Sequence, residues 1–204
     1  MPAAHPLLTR RPARKGPAVP LFPETEFHLA QARVHEACGI ARRTLALWIA
    51  AQTEGPVIWV SPSWTQEQLH CDGVAQWIDP ARLTFVQPRR PDDVLWTMEE
   101  VLRSGTAALA IADLPGLPGL TQVRRMHLAA ENGAGAGQYV PLGLLLTPGA
   151  GGAAGVETRW QLSPAHVGGP GSWQLKRLRA RAAPEKQWEV HRPGPAAAPQ
   201  IKTA

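Results

Sequence analysis

Few residues of this chain stand at spacings that could do chemistry, and most of those that do are cations. Lys176, Arg177, Arg179 and Arg181 fall within one short stretch, flanked by Trp173 and Trp188. Nucleic-acid binders set Lys and Arg against phosphates and stack bases on aromatic rings, so this stretch is a candidate DNA or partner surface. The competing reading is an edge strand whose cations suppress aggregation. Arg42 and Arg43 open an expected helix, where backbone N–H groups and two guanidinium groups could hold an anion. Asp113 closes an expected strand. Metal chemistry is not indicated. There are two cysteines, Cys38 and Cys71, with no C-x-x-C pair, and His35 near Cys38 has no second ligand pair after it. Two cysteines also make no disulfide framework, which suits a reducing cytoplasm.

Elements must position these groups, and the chain between residues 27 and 192 alternates between strand and helix signals. Apolar residues at helical spacing mark 42–52 as a helix stopped by Gly55. The run VIWV (57–60) closed by Ser61-Pro62 reads as a buried strand. Short helical pieces are expected at 65–69 and 73–77, and a strand at 83–86. The segment 91–104 is the clearest helix. Pro91 begins it, Asp92 and Asp93 occupy its first turn, and Gly105 follows its end. Strands are expected at 32–37, 107–112, 142–147 and 157–162, with a helix from Thr121 to Asn132. The pieces 175–180 and 187–191 flank a turn at Ala183-Pro184 and read as a hairpin. Strands alternating with helices imply an α/β fold, a mainly parallel sheet covered by helices, with an antiparallel C-terminal edge.

Composition sets the limits around this core. The 204 residues suit one domain with tails. Residues 1–26 hold recurrent Pro and Arg and read as a flexible arm. Residues 193–204 read as a disordered tail. No apolar run is long enough to cross a membrane, and the N-terminal residues contain no apolar segment of signal-peptide type. The net charge is +5, but residues 27–156 carry nine Lys or Arg against eleven Asp or Glu. Residues 157–192 carry seven against three. An anionic partner is therefore expected at the ends of the chain rather than its middle. Of the eight Trp, Trp48, Trp59 and Trp96 are expected in the core. Trp64, Trp160, Trp173 and Trp188 are candidates for interface anchors.

The order of residues resembles RecA-type recombinases. VHEACGIARRTLALWIAAQTEG (34–55) resembles that family's first strand, phosphate-loop region and first helix. PDDVLWTMEEVLRSGTAALAIADL (91–114) resembles its later helix and the strand ending in the Walker B aspartate. LGLLLT (142–147) resembles the next core strand. The glycine-rich 149–155 segment falls where RecA keeps a DNA-contacting loop. Within this group the chain resembles the ImuA family, accessory factors of bacterial damage-induced mutagenesis. The local features are VHEACG (34–39), DDVLWTMEEVLRSG (92–105), LTQVRRMHLAAE (120–131), LGLLLTPG (142–149) and ETRWQLSP (157–164).

A working phosphate loop needs G-x-x-x-x-G-K-[ST], with glycines for the cradle, Lys for the phosphates and a hydroxyl for Mg²⁺. Aligned on TLAL (44–47), Glu36 falls at the first glycine, Ala41 at the second, Arg42 at Lys and Arg43 at Ser/Thr. Gly39 lies between. Thr44 supplies a hydroxyl only with a slipped register. SPSW (61–64) lacks the catalytic Glu expected after the second strand. Asp113 alone keeps the Walker B position. The resemblance thus implies a RecA-like fold with a degenerate nucleotide site, no ATP cofactor and no enzymatic turnover. It implies an adaptor in the cytoplasmic SOS response to DNA damage, active in mutagenic translesion synthesis. Its expected partners are an ImuB-type polymerase-like protein, an error-prone replicative-type polymerase and a RecA-type recombinase. Weak direct DNA binding is a further expectation. The alternative is a SulA-like damage-induced inhibitor of cell division, which also resembles a RecA core without a phosphate loop.

Overall fold

The computed structural model describes residues 17–202, apart from 66, 167–170, 182 and 196. Strand β1 (Ala18–Pro20) pairs antiparallel with β2 (His28–Ala30), and β3 (Val34–Cys38), α1 (Arg42–Ala51) and β4 (Val57–Val60) follow. Next come α2 (Cys71–Ala75), β5 (Leu83–Val86), α3 (Pro91–Ser104), β6 (Leu109–Asp113), α4 (Leu120–Ala136) and β7 (Leu142–Leu146). The chain closes with β8 (Thr158–Pro164), β9 (Ser172–Ala180), β10 (Lys186–His191) and β11 (Gln200–Ile201). Nine strands form one sheet in the order β11-β10-β9-β8-β3-β7-β6-β4-β5. Strands β8, β3, β7, β6, β4 and β5 run parallel, while β9, β10 and β11 join by antiparallel pairings. The fold is α/β, with a large, mostly parallel mixed sheet covered by helices, as the alternation of elements predicts.

Side-chain alternation along the buried strands feeds two cores. Leu109, Ile111, Leu142, Leu144 and Leu146 face α1 and the β1–β2 hairpin, around Trp48 and Trp160. Ala110, Ala112, Leu145 and Val34 face α3 and α4, around Met98, Leu102 and Met126. The small Ala residues on the second face let two helices lie close to the sheet and to each other. Gly133 of α4 sits against the Leu102 carbonyl at the end of α3, where an added Cβ would lie 2.0 Å from that oxygen. Helix α3 stops at Gly105, whose left-handed φ of 57° ends the helix as its sequence predicts.

Several expectations are revised. Residues 65 and 67–69 are not helical, and the short helix expected at 73–77 is α2, placed earlier. Helix α4 starts at Leu120, with Gln122 accepting a hydrogen bond from the Gly119 N–H, and not behind a Thr121 cap. Trp96 is 58% exposed on α3, because Val94, Met98 and Leu102 already fill that helix's inner face. The expected arm is folded from residue 17 onward. Val19, Leu21 and Phe22 are buried, and Phe22 meets Phe27 and Trp48 edge-on at 4.7 and 4.9 Å. The expected disordered tail supplies β11, which pairs with β10. Residues 1–16, the rest of the expected arm, lie outside the described residues.

Candidate functional site

Strands β3, β7 and β6 end at one edge of the sheet, where ligands of open parallel sheets bind. This edge brings Arg42, Arg43 and Asp113 of the expected nucleotide-site remnant into contact, with Glu36, Gly39 and Ala41 in β3 and the turn that follows it. Glu36, at the first-glycine position, lies inside β3, paired with β7 on one side and β8 on the other. The strand therefore runs straight through to Cys38, leaving Gly39, Ile40 and Ala41 to turn the chain into α1. A three-residue turn is too short to wrap a phosphate. Two of its donors and the one after it are also taken: the Gly39 N–H donates to the Gly149 carbonyl at 3.0 Å, Ala41 N–H to Leu162 at 3.1 Å, and Arg42 N–H to Gly39 at 3.2 Å. Gly39 has φ +87°, and a Cβ there would press on the Leu162 carbonyl at 2.6 Å. Glycine is present for this tight approach to β8. Ile40 stands 86% exposed at the tip.

The two arginines find their anion inside the protein. Arg43 Nε donates to Asp113 Oδ2 at 2.6 Å and its Nη1 to Glu67 Oε2 at 2.6 Å, while Arg42 Nε lies 3.7 Å from Asp113 Oδ1. Burial works against the Arg43 charge, but the hydrogen bond and charge of Asp113, joined by Glu67, outweigh it and raise its pKa. Asp113 is nearly buried at the end of β6 and faces cations where a Walker B carboxylate would face Mg²⁺ and phosphate. Thr44 does not turn toward Asp113's cluster. It lines a separate cleft of about 600 Å³ with Leu47, Leu69, Trp77 and Trp173.

Glu36 has a structural task that its spacing did not reveal. It is fully buried and accepts hydrogen bonds from Thr147 Oγ1 at 2.6 Å, Gly152 N–H at 2.8 Å and Ala153 N–H at 3.1 Å. Arg159 of β8 meets its other oxygen at 2.5 Å and also donates to the Ala153 carbonyl. A buried carboxylate needs both a counter-charge and hydrogen bonds. Here they come from β8 and from the segment after β7, which Glu36 thereby pins. Burial first, then the Glu36 charge, push the Cys38 thiol up to about 11, so it is no thiolate nucleophile at neutral pH.

The basic stretch splits between two faces. Trp160 of β8 stands opposite Arg177 and Arg159 opposite Arg179, so Leu178 is an extra residue in β9. Such a bulge reverses the alternation beyond it. Arg177 is buried with 3% exposure, a correction to its place in a candidate surface. Its guanidinium lies over Trp160 and Trp188 and donates to the carbonyls of Glu26 and Pro184. Trp188 packs at a tilt against Phe27 at 4.7 Å, and Trp173 neighbours Trp77 and His166. These rings are taken up by packing within the chain. Lys176 is partly exposed on β9. Arg179 is exposed on the opposite face from Arg177, and Arg181 lies 3.3 Å from Glu157. A single sheet face bearing all four cations and both Trp does not form.

Residues that the spacing argument missed stand on that opposite face. His127 of α4 accepts from the Val34 N–H at Nδ1 and donates from Nε2 to the Gly155 carbonyl. This fixes the neutral tautomer, and burial, foremost, lowers its pKa. Among the described residues no group of three or more His, Cys, Asp or Glu could hold a metal ion. Among them, too, no helix is long and apolar enough to cross a membrane. No protein-family model matches the chain, and no curated protein matches it.

Proposed function

We propose that this chain is a non-catalytic, RecA-like adaptor in DNA-damage-induced mutagenic translesion synthesis. It acts by contacts with an ImuB-type polymerase-like protein, an error-prone replicative-type polymerase and a RecA-type recombinase, without ATP. The observation that carries the non-catalytic part is the closed edge around Asp113. The Gly39, Ala41 and Arg42 N–H groups serve the chain's own carbonyls, and Arg42 and Arg43 neutralise the carboxylate that a Mg-nucleotide would need. Phosphoryl transfer is almost wholly positioning and charge stabilisation, so a site without a cradle, a Lys or a free carboxylate has no means to promote it. The RecA-like reading is supported by the placement of 36–43 and Asp113 at one edge of a parallel sheet. The pathway rests on the ordered resemblance of five segments to the ImuA family. A tagged pull-down after DNA damage, read by mass spectrometry, tests it. Enrichment of translesion polymerase subunits or the recombinase is the expected result. Enrichment of the tubulin-like division protein instead would replace the pathway with the SulA-like alternative.

A further inference from the structure

Helix α4 turns one row of residues away from the core. Val123, Met126 and Ala130 pack inward, while Leu120, Arg124 and Leu128 follow one another at four-residue spacing on the outer side. Leu120 and Leu128 are 42% and 60% exposed, although a helix inside a finished core would turn such side chains inward. They do not stand alone. Leu120 leans on Gly155, where an added Cβ would come within 2.7 Å of it, and Gly155 is held by His127. The result is a groove of about 730 Å³ between α4, the Ala154–Gly155 backbone and Arg179 at the end of β9.

Its charge is one-sided. Glu131 at one end is neutralised by Arg33, and Glu157 nearby is met by Arg33 and Arg181. Arg124 and Arg179 are left on the rim, exposed and without an ion pair among the described residues. An apolar floor with cations on its rim matches an amphipathic helix that carries leucine-like residues on one side and carboxylates beside them. Nucleic acid fits less well. Single-stranded binders stack bases on aromatic rings, and among the described residues no Trp, Tyr or Phe lines this groove.

We propose that the groove between α4 and the 154–155 backbone is a docking site for an acidic amphipathic helical segment of a partner protein. The buried Glu36–Arg159 pair then gains a purpose, because it holds the preceding 147–153 segment and so sets one wall of the groove. The proposal deepens the adaptor reading, since it rests on the idea that this protein works through contacts, but the groove's chemistry does not depend on the pathway.

The test is fluorescence anisotropy on the full chain with a labelled 16-residue helical peptide, leucines along one face and glutamates flanking them. Three control probes accompany it: the same peptide with Lys for Glu, the same peptide with Ser for Leu, and a thymidine oligonucleotide. Saturable binding of the acidic peptide is expected in the micromolar range, with about tenfold or greater loss in Leu128→Glu and in the Arg124→Glu/Arg179→Glu pair. All these positions are exposed, so the variants are expected to keep the parent unfolding midpoint, which is measured alongside. No binding of the acidic peptide, equal binding by the variants, or equal binding of the Lys peptide would overturn the proposal. So would an oligonucleotide that binds more tightly and depends on the same residues. Failure here with polymerase subunits still captured in cells would leave the adaptor reading standing on another surface. Peptide binding without that capture would keep the groove and remove the pathway.

Discussion

Asp113 and His35 each hold distant parts of the chain together through a polar contact. Asp113 answers two arginines in a nearly dry setting, and losing one partner of such a pair leaves charge uncompensated. Asp113→Asn is therefore expected to lower stability by about 2 kcal/mol, read as a lower urea midpoint. An unchanged midpoint would mean that the Arg43 contact contributes nothing. His35 is fully buried between Thr158 Oγ1 at 2.7 Å and the Ala30 carbonyl at 2.9 Å. Burial, partly offset by the Ala30 hydrogen bond, lowers its pKa from 6.5 to about 4. The unfolded chain then binds a proton that the native state refuses between pH 6.5 and 4. Stability from this group is present above pH 6.5 and is lost as pH falls toward 4, by about 3 kcal/mol in all. Urea midpoints at pH 7.5 and 5 check this. His35→Gln should flatten the slope, and an equal slope in that variant would assign the proton to another group. Neither role was legible beforehand, because Thr158 and Ala30 reach His35 only through the pairing of distant strands.

At the scale of elements, α3 and its Pro91, Asp92, Asp93 and Gly105 signals were readable in full, because a helix with that much local punctuation needs no tertiary information. Strands β4, β5 and β7 were equally plain as short apolar runs between turn residues. Helix α4 was read too short. Its last turns contain Asn132, Gly133 and Gly135, a helix-stop signal that packing against α3 overrides. Gly133 separates the two contributions. Helix propensity alone says that Gly133→Ala gains about 1 kcal/mol. Contact with the Leu102 carbonyl says instead that the backbones must part, at a loss of about 2 kcal/mol. A lower thermal midpoint is expected, and a higher one would show that α3 and α4 do not pack this closely. The bulge at Leu178 is the other element-level lesson. Strict alternation would place Arg177 and Arg179 on one face, and one extra residue in β9 sends the first to the Trp160 side and the second to the α4 groove.

For the whole molecule, strand–helix alternation was enough to give a mainly parallel sheet with an antiparallel edge. The ends were misjudged for a common reason. Pro17, Pro20 and Pro23 suggest a loose arm, yet Val19, Leu21 and Phe22 between them close the core over Trp48. Pro-rich composition reports on local backbone, not on whether a distant hydrophobic surface awaits cover. At the end of β6, Asp113 meets Arg42 and Arg43, a pairing that spacing alone does not predict. Three consecutive features of the molecule explain why: β3 extends through Glu36, β8 supplies the carbonyl that fills the turn, and α1 begins with two cations that meet Asp113. Together they make an edge whose charges and turn are answered within the chain, which is what the proposed adaptor reading requires. Calorimetric titration with Mg-ATP, paired with an unfolding curve at 1 mM nucleotide, tests this most directly. No saturable heat and no change in midpoint are predicted. A dissociation constant near 10 μM would instead raise stability by about 2.7 kcal/mol at that concentration. Such a rise, abolished in Arg43→Ala, would contradict the closed edge and return the protein to the nucleotide-binding class.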